Sequence, residues 1–166
     1  MTTIQLTQKE RLLLEDQKKH EEMCIIKYDN YANEAQDPQL KQLFLSLKQQ
    51  EQNHYDTINQ ILGGQVPNMQ NQQQGQQQNQ QGMQNQQKGQ QQTQNSGSNL
   101  TNVSDDILCN DLLMTEKYVS STYDTTIFEF TDTNVREVLN HIQKEEQQHG
   151  EQIFNYMQAN GMYQPQ

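Results

Sequence analysis

Six residues combine types and spacings that suit the binding of metal ions. A glutamate is followed three positions later by a histidine, this pair recurs once, and a further glutamate stands 30 residues before each pair. The six residues are Glu21, Glu51, His54, Glu116, Glu146 and His149. Because residues three apart share one face of a helix, each Glu-x-x-His pair offers a carboxylate and an imidazole side by side. Four carboxylates and two imidazoles are the ligand set that two divalent metal ions require in a helical bundle.

Two plainer explanations compete with a metal site. A single Glu-x-x-His pair in a glutamine-rich chain would be a solvated helix surface that happens to hold a histidine. Two such pairs with the same preceding glutamate make that explanation much weaker. A bundle could also keep buried carboxylates and satisfy them with protons, hydrogen bonds and water. The pattern favours the metal site and leaves this last alternative open.

Four amphipathic helices are predicted to hold these side chains. Apolar residues at steps of three and four form four stripes, and each of the six residues occupies a stripe position. Asp37, a good N-cap, and Pro38, suited to the first helical position, separate the first two stripes. The sequence "TDT" at 131–133 separates the last two, and Gly63 and Gly161 are the expected helix ends. The short connections predict two antiparallel hairpins.

The spacing along the helices places the six residues at one level of the bundle. Glu21 lies 16 residues before residue 37, whereas Glu51 and His54 lie 14 and 17 residues after it. With a rise of about 1.5 Å per residue, all three fall within one helical turn of the same height. The second hairpin repeats the arrangement about residue 132. The sequence therefore predicts one buried layer, in which unpartnered carboxylates would each cost several kcal/mol.

The second half of the chain repeats the first with a displacement of 95 residues and no gap. This internal repeat predicts one all-α four-helix bundle built from two duplicated helical hairpins, residues 1–62 and 104–166. Residues 63–103 are rich in Gln, Asn and Gly, a low-complexity composition that predicts a disordered linker. Both a crossover along the bundle and a simple return are compatible with its length. Ser104 or Asp105 can cap the third helix.

Five other residues bear on the predicted layer. Tyr28 and Tyr123 each lie seven residues after a stripe glutamate, either as core residues or as phenols that hydrogen-bond to a ligand carboxylate. Cys24 and Cys109 are too few for a disulfide framework and fall at different heights, which argues against a bond between them. Glu145 points off its stripe and is predicted to be solvated.

Charge and hydropathy exclude several classes of partner. The formal net charge is −10 and the isoelectric point is near 4.7, so the phosphates of nucleic acids and anionic membrane surfaces would be repelled. No apolar run approaches the length of a membrane span, which predicts no membrane insertion. The N-terminus lacks the pattern of a signal peptide, which predicts a protein made in the cytoplasm.

On these residues the chain resembles the ferritin-like superfamily. The segment from Glu21 to Tyr28, continued by Tyr31-Ala32, is similar to one found in rubrerythrins. The segment "EEQQHGEQIFNYMQANGMY" near the C-terminus looks like the spore coat protein F family. The resemblance implies a ferritin-like four-helix bundle with a long crossover between helices 2 and 3. It also implies two Fe or Mn ions bound by the six residues, with Tyr28 and Tyr123 beside them.

The resemblance implies a structural spore coat protein that retains a carboxylate-bridged site for two metal ions. Such a protein is made in the mother-cell cytoplasm and assembled on the spore coat with other coat proteins, and a homodimer is also compatible. The alternative is a di-iron or di-manganese redox enzyme that protects against oxidative stress, either a rubrerythrin-like peroxidase or a manganese-catalase-like enzyme. Two departures weigh against rubrerythrin turnover: Val119 replaces an additional carboxylate, and the chain has no Cys-x-x-Cys iron domain.

Overall fold

Four long helices dominate the fold. The computed structural model describes residues 2–67 and 104–165, and most of the predicted linker lies outside these residues. The helices are α1 (Gln8–Glu34), α2 (Pro38–Leu62), α3 (Asp105–Glu129) and α4 (Thr133–Ala159). These bounds agree with the helices, breaks and glycine ends predicted from the sequence, and the prediction of four helices is therefore confirmed.

Side-chain caps explain where the helices begin. Thr7 and Glu10 form a capping box at the start of α1, in which each side chain accepts a hydrogen bond from the backbone N–H of the other. Asp37 and Asp132 cap α2 and α4 by accepting backbone N–H groups of the first turn. Ser104 is the N-cap residue of α3, but its side chain makes no capping hydrogen bond.

A two-stranded ribbon that the sequence did not predict closes one end of the first hairpin. Strand β1 (Thr2–Thr3) pairs antiparallel with β2 (Gln65–Val66), and the N–H of Ile4 donates to the carbonyl of Gly64 at 2.9 Å. Gly64 has a φ of +80°, and a Cβ there would lie 3.0 Å from the Ile4 carbonyl oxygen. The described start of the predicted linker is thus an ordered return that packs on the N-terminus. Two residues per strand are too few to show an alternating pattern.

The core follows the predicted stripes, with small shifts along them. The layers above and below the polar cluster are filled by fully buried residues such as Leu14, Leu47, Leu112 and Ile153. On α2 the structure buries Phe44 rather than the predicted Leu43, which is half-buried. Burial of each such side chain contributes about 1.5–3 kcal/mol to folding. The apolar layers therefore provide the stability that a polar central layer does not.

The positions of the helix ends define the topology. The last carbonyl of α2, on Leu62, accepts from the Arg11 guanidinium at 3.5 Å, so α2 ends beside the start of α1. The Asp105 carboxylate accepts the N–H groups of Gln36 and Asp37 at 2.8 and 2.9 Å, so α3 starts beside the α1–α2 turn. Helices α2 and α3 therefore run in the same direction, and the chain between them joins opposite ends of the bundle. This arrangement is a crossover, one of the two connections that the sequence left open.

No helix among the described residues is both long enough and apolar enough to cross a membrane.

Candidate metal centre

All six predicted ligands meet in the middle of the bundle. Each lies on the inward face of its helix, one from α1, two from α2, one from α3 and two from α4. The six residues are each at most 2% exposed: Glu21, Glu51, His54, Glu116, Glu146 and His149. The equal heights predicted from the spacing are thus what the packing of the four helices produces. One polar layer is buried between apolar layers.

The six residues form two overlapping groups of possible ligand atoms. In each group, four carboxylate or imidazole atoms lie within 4.8 Å of one another. One group comprises Glu21, Glu51, His54 and Glu146; the other comprises Glu51, Glu116, Glu146 and His149. Both contain Glu51 and Glu146. Two cations held by these groups would therefore be neighbours that share two carboxylates.

The internal repeat appears in the centre as reciprocal contacts across a pseudo-twofold axis. Nδ1 of His54 lies 2.9 Å from Oε1 of Glu146, and Nδ1 of His149 lies 3.1 Å from Oε1 of Glu51. The two imidazole rings are stacked with centroids 5.4 Å apart and an interplanar angle of 15°. Each Glu-x-x-His pair is therefore completed by the pair on the opposite hairpin.

Three carboxylate oxygens in the centre have no hydrogen-bond partner among the described residues. They are the Oε2 atoms of Glu21, Glu116 and Glu146, and all three are inaccessible to solvent. A buried acceptor without a partner typically costs about 1–3 kcal/mol, and more when it is charged. Native proteins rarely tolerate such groups, so each requires a physical explanation. A bound cation between the helices would provide one.

Tyr28 and Tyr123 hold the two outer glutamates. The phenol of Tyr28 donates to Oε1 of Glu116, and the phenol of Tyr123 donates to Oε1 of Glu21. Burial, followed by the nearby carboxylates, raises the pKa of both phenols well above its ordinary value, so both remain donors. Each bond leaves Oε2 of the same glutamate as the unpartnered oxygen. The phenols therefore make the hydrogen bonds to glutamates that were considered from the sequence, and they also lie in the core.

The outer nitrogen of each histidine is also fixed, and here sequence reasoning missed a residue. Oε2 of Glu145 lies 2.9 Å from Nε2 of His54, whereas Oε1 of Gln50 lies 3.1 Å from Nε2 of His149. Glu145 was predicted to be solvated, but it is only 8% exposed. His141, 3.2 Å from Glu145, and His54 hold the pKa of this carboxyl well below its usual range although burial opposes the shift. The i, i+4 spacing of His141 and Glu145 was the available sequence signal.

Protons balance part of the negative charge in the centre. Burial and then the carboxylates of Glu51 and the other glutamates raise the pKa of Glu146 well above its ordinary value. Burial opposes a charge on His54, yet Glu146 and Glu145 outweigh burial and raise the pKa of its ring. Burial opposes a charge on His149 in the same way, and Glu51 raises the pKa of that ring. A divalent cation would supply the same positive charge.

The two cysteines do not join the centre as ligands. Cys24 is buried one turn from Glu21 but belongs to neither group of possible ligand atoms. Burial and the surrounding carboxylates raise the pKa of its thiol far above the ordinary value. Cys24 and Cys109 are both free, which confirms the prediction that they form no disulfide. Cys24 is therefore a small core residue beside the layer.

Together, fold and centre define a duplicated four-helix bundle with a buried carboxylate–imidazole cluster. A family model described as the Coat F domain matches residues 104–166, which contain α3 and α4. The similarity to the coat protein F family noted for the C-terminal segment is thus confirmed for the second hairpin, the part of the chain that the family model covers. No curated protein matches the chain.

Proposed function

We propose that this protein is a structural component of the spore coat whose ferritin-like bundle binds two divalent ions, iron or manganese. The Coat F match over residues 104–166 supports the coat role. Support for the metal site comes from the two groups of ligand atoms that share Glu51 and Glu146. A solvated helix surface would not bring six such residues into one buried layer.

The residues present fit the proposed ions in number, type and burial. Glu51 and Glu146 would serve both ions, and the other four residues would serve one ion each. Carboxylate and imidazole ligands suit iron and manganese equally well. The three carboxylate oxygens without a hydrogen bond lie 3.6–3.7 Å from a histidine Nδ1, and a bound ion would give them a closer electrostatic partner. When bound, such ions can hold the hairpins together and can also react with dioxygen or peroxide.

The expected setting is a coat assembled from many proteins. The chain would be made in the mother-cell cytoplasm and incorporated with other coat proteins, and self-association as a homodimer is compatible with this role. A structural bundle that gains stability from metal suits a durable protein layer. The alternative role, a peroxide-consuming di-iron or di-manganese enzyme, uses the same six residues and is distinguished by peroxide consumption of the metal-loaded protein.

Protein extracted from the coat fraction of spores should contain about two iron or manganese ions per chain. The measurement is elemental analysis of the purified protein at a known concentration, with the chain located by antibody in fractionated spores. A protein absent from the coat would contradict the coat role. A coat-located protein with no metal would instead favour a bundle whose carboxylates are satisfied by protons and hydrogen bonds.

Glu145→Gln should weaken binding of one of the two ions, with a tenfold to hundredfold loss typical of residues that orient a metal-bound histidine. The reason is that Glu145 carries a negative charge next to Nε2 of His54, whereas Gln50 offers His149 a neutral carbonyl. Isothermal titration calorimetry with Mn(II) should resolve a weaker second event.

The matched control is Gln50→Glu, which gives the second histidine the partner of the first and should not weaken either binding event. Identical titrations for wild type and Glu145→Gln would show that Glu145 has no orienting role.

A further inference from the structure

A cleft between α3 and α4 reaches the polar layer from one side of the bundle. Its volume is about 680 Å³, and its lining includes the carboxyl-bearing residues Glu116 and Glu146. Both have an Oε2 atom that is buried and has no hydrogen-bond partner among the described residues. The cleft therefore extends from the bundle surface to two residues whose second carboxylate oxygens lie buried in the polar layer.

Small residues in the second hairpin stand where the first hairpin has large ones. The internal repeat pairs each cleft residue except Tyr163 with a counterpart 95 positions earlier in the first hairpin. Three cleft residues have much larger counterparts: Ser120 and Ser121 correspond to Ile25 and Ile26, and Gly150 corresponds to Tyr55. The ring of Tyr55 is half-buried, with the Lys18 ammonium 5.3 Å from its centroid. The two faces of the pseudo-symmetric bundle are therefore not equally accessible.

Gly150 shows the largest of these differences in side-chain size. A Cβ at this position would lie 3.7 Å from Cδ1 of Leu113 and 3.8 Å from Cβ of Glu116. These are ordinary van der Waals contacts, so the backbone accepts a side chain, but any larger group would extend into the cleft above Glu116. Glycine inside a helix costs about 1 kcal/mol relative to alanine. Gly150 thus weakens α4 slightly and leaves space beside the polar layer.

The charges that line the cleft suit a cation. Carboxylates of Glu116, Asp124, Glu146 and Glu151 face a single ammonium, that of Lys117. A cleft lined mainly by one sign of charge concentrates ions of the opposite sign and speeds their association.

We propose that this cleft is the route by which hydrated divalent cations reach the two groups of ligands. This inference rests on the proposed metal site and adds the side of the bundle from which ions reach it. On this route, ions would enter between α3 and α4, lose water beside the carboxylates of Glu116 and Glu146, and reach the carboxylates shared by the two groups. On the opposite face, the side chains of Ile25 and Tyr55 occupy the corresponding positions.

The test changes Gly150 and Tyr55, the pair with the largest difference in side-chain size between the two faces. Mn(II) is mixed with metal-free protein, and uptake is followed by the loss of the signal of Mn(II) in solution in electron paramagnetic resonance. Gly150→Tyr should slow uptake about tenfold or more, equivalent to about 1.4 kcal/mol in the barrier, and leave the final amount bound unchanged. Tyr55→Gly opens the other face and should load at least as fast as wild type. If Gly150→Tyr lowers the helix content, Ser120→Ile narrows the same cleft more gently.

The outcomes separate this route from the metal site itself. Slower uptake with full final occupancy in Gly150→Tyr or Ser120→Ile supports the route. If the wild-type protein binds Mn(II) fully and the variants take it up at the wild-type rate, the route is wrong and the metal site stands. Wild-type protein that binds no Mn(II) at equilibrium would overturn the metal site and the route together.

Discussion

The double substitution Glu51→Gln/Glu146→Gln should abolish metal binding and the thermal stabilisation that accompanies it. These two residues belong to both groups of ligand atoms, so their loss removes two of four ligands from each ion. An ion at one hundred times its dissociation constant stabilises a folded protein by about 2.7 kcal/mol, so two ions would contribute about 5 kcal/mol. For a bundle of this size, that should raise the wild-type melting temperature by about 15 °C or more.

The measurement is a thermal melt of each protein, first with chelator and then with excess Fe(II) or Mn(II). A control that removes the same number of carboxylates outside the centre is Glu15→Gln/Glu22→Gln, since both residues are exposed. The control should gain as much stability from metal as the wild type. A wild-type melting temperature that does not respond to either ion, or a double variant that responds equally, would exclude the proposed centre.

In the presence of chelator the order of stabilities should reverse, and the Glu51→Gln/Glu146→Gln protein should be the more stable one. The wild-type layer buries four carboxylates against two imidazoles. In the variant each ring keeps one remaining carboxylate of the layer, with Glu21 Oε2 3.6 Å from His54 Nδ1 and Glu116 Oε2 3.7 Å from His149 Nδ1. Removing two of the four carboxylates relieves the repulsion between like charges in the layer, and buried charges without a full partner cost several kcal/mol.

Urea denaturation of both proteins in chelator measures this difference. The informative result is a reversal: the variant is more stable in chelator, and the wild type is more stable with metal. Such a reversal would show that the carboxylates stabilise the metal-bound protein and destabilise the metal-free fold. A variant that is several kcal/mol less stable than wild type in chelator would show the opposite, that the carboxylate–imidazole pairs themselves hold the helices together.

The sequence was sufficient to predict the convergence of the six polar residues because helix geometry converts spacing into height. A rise of about 1.5 Å per residue and a short turn leave little freedom in where Glu21 meets Glu51. The topology could not be predicted in the same way. The position of Asp105 beside Gln36 depends on which faces of the hairpins pack together, and the stripe patterns alone do not show this. The ribbon at Gln65 was missed for the same reason, as it depends on a tertiary partner at the N-terminus.

The residues that contact His54 and His149 were harder to predict from the sequence than the positions of the two histidines. Glu145 and Gln50 occupy equivalent positions beside a stripe, where a helical pattern does not decide between solvent and partner. Their burial follows from how close α2 and α4 approach, which places Glu145 against His54 and Gln50 against His149. The repeat already shows that Gly150 stands at the position equivalent to Tyr55. Only the structure shows that this difference lies in a cleft between α3 and α4.

The reciprocal contacts across the pseudo-twofold axis have an evolutionary consequence. Neither hairpin holds four ligands of one group alone, because Glu146 completes the group that contains Glu21 and Glu51. Two copies of a chain half this length, related by a true dyad, would have built the same centre as a dimer of identical subunits. Fusion of two such copies into one chain would allow each half to change independently. The difference between Tyr55 and Gly150 is a change of this kind, and it makes the two sides of the core unequal.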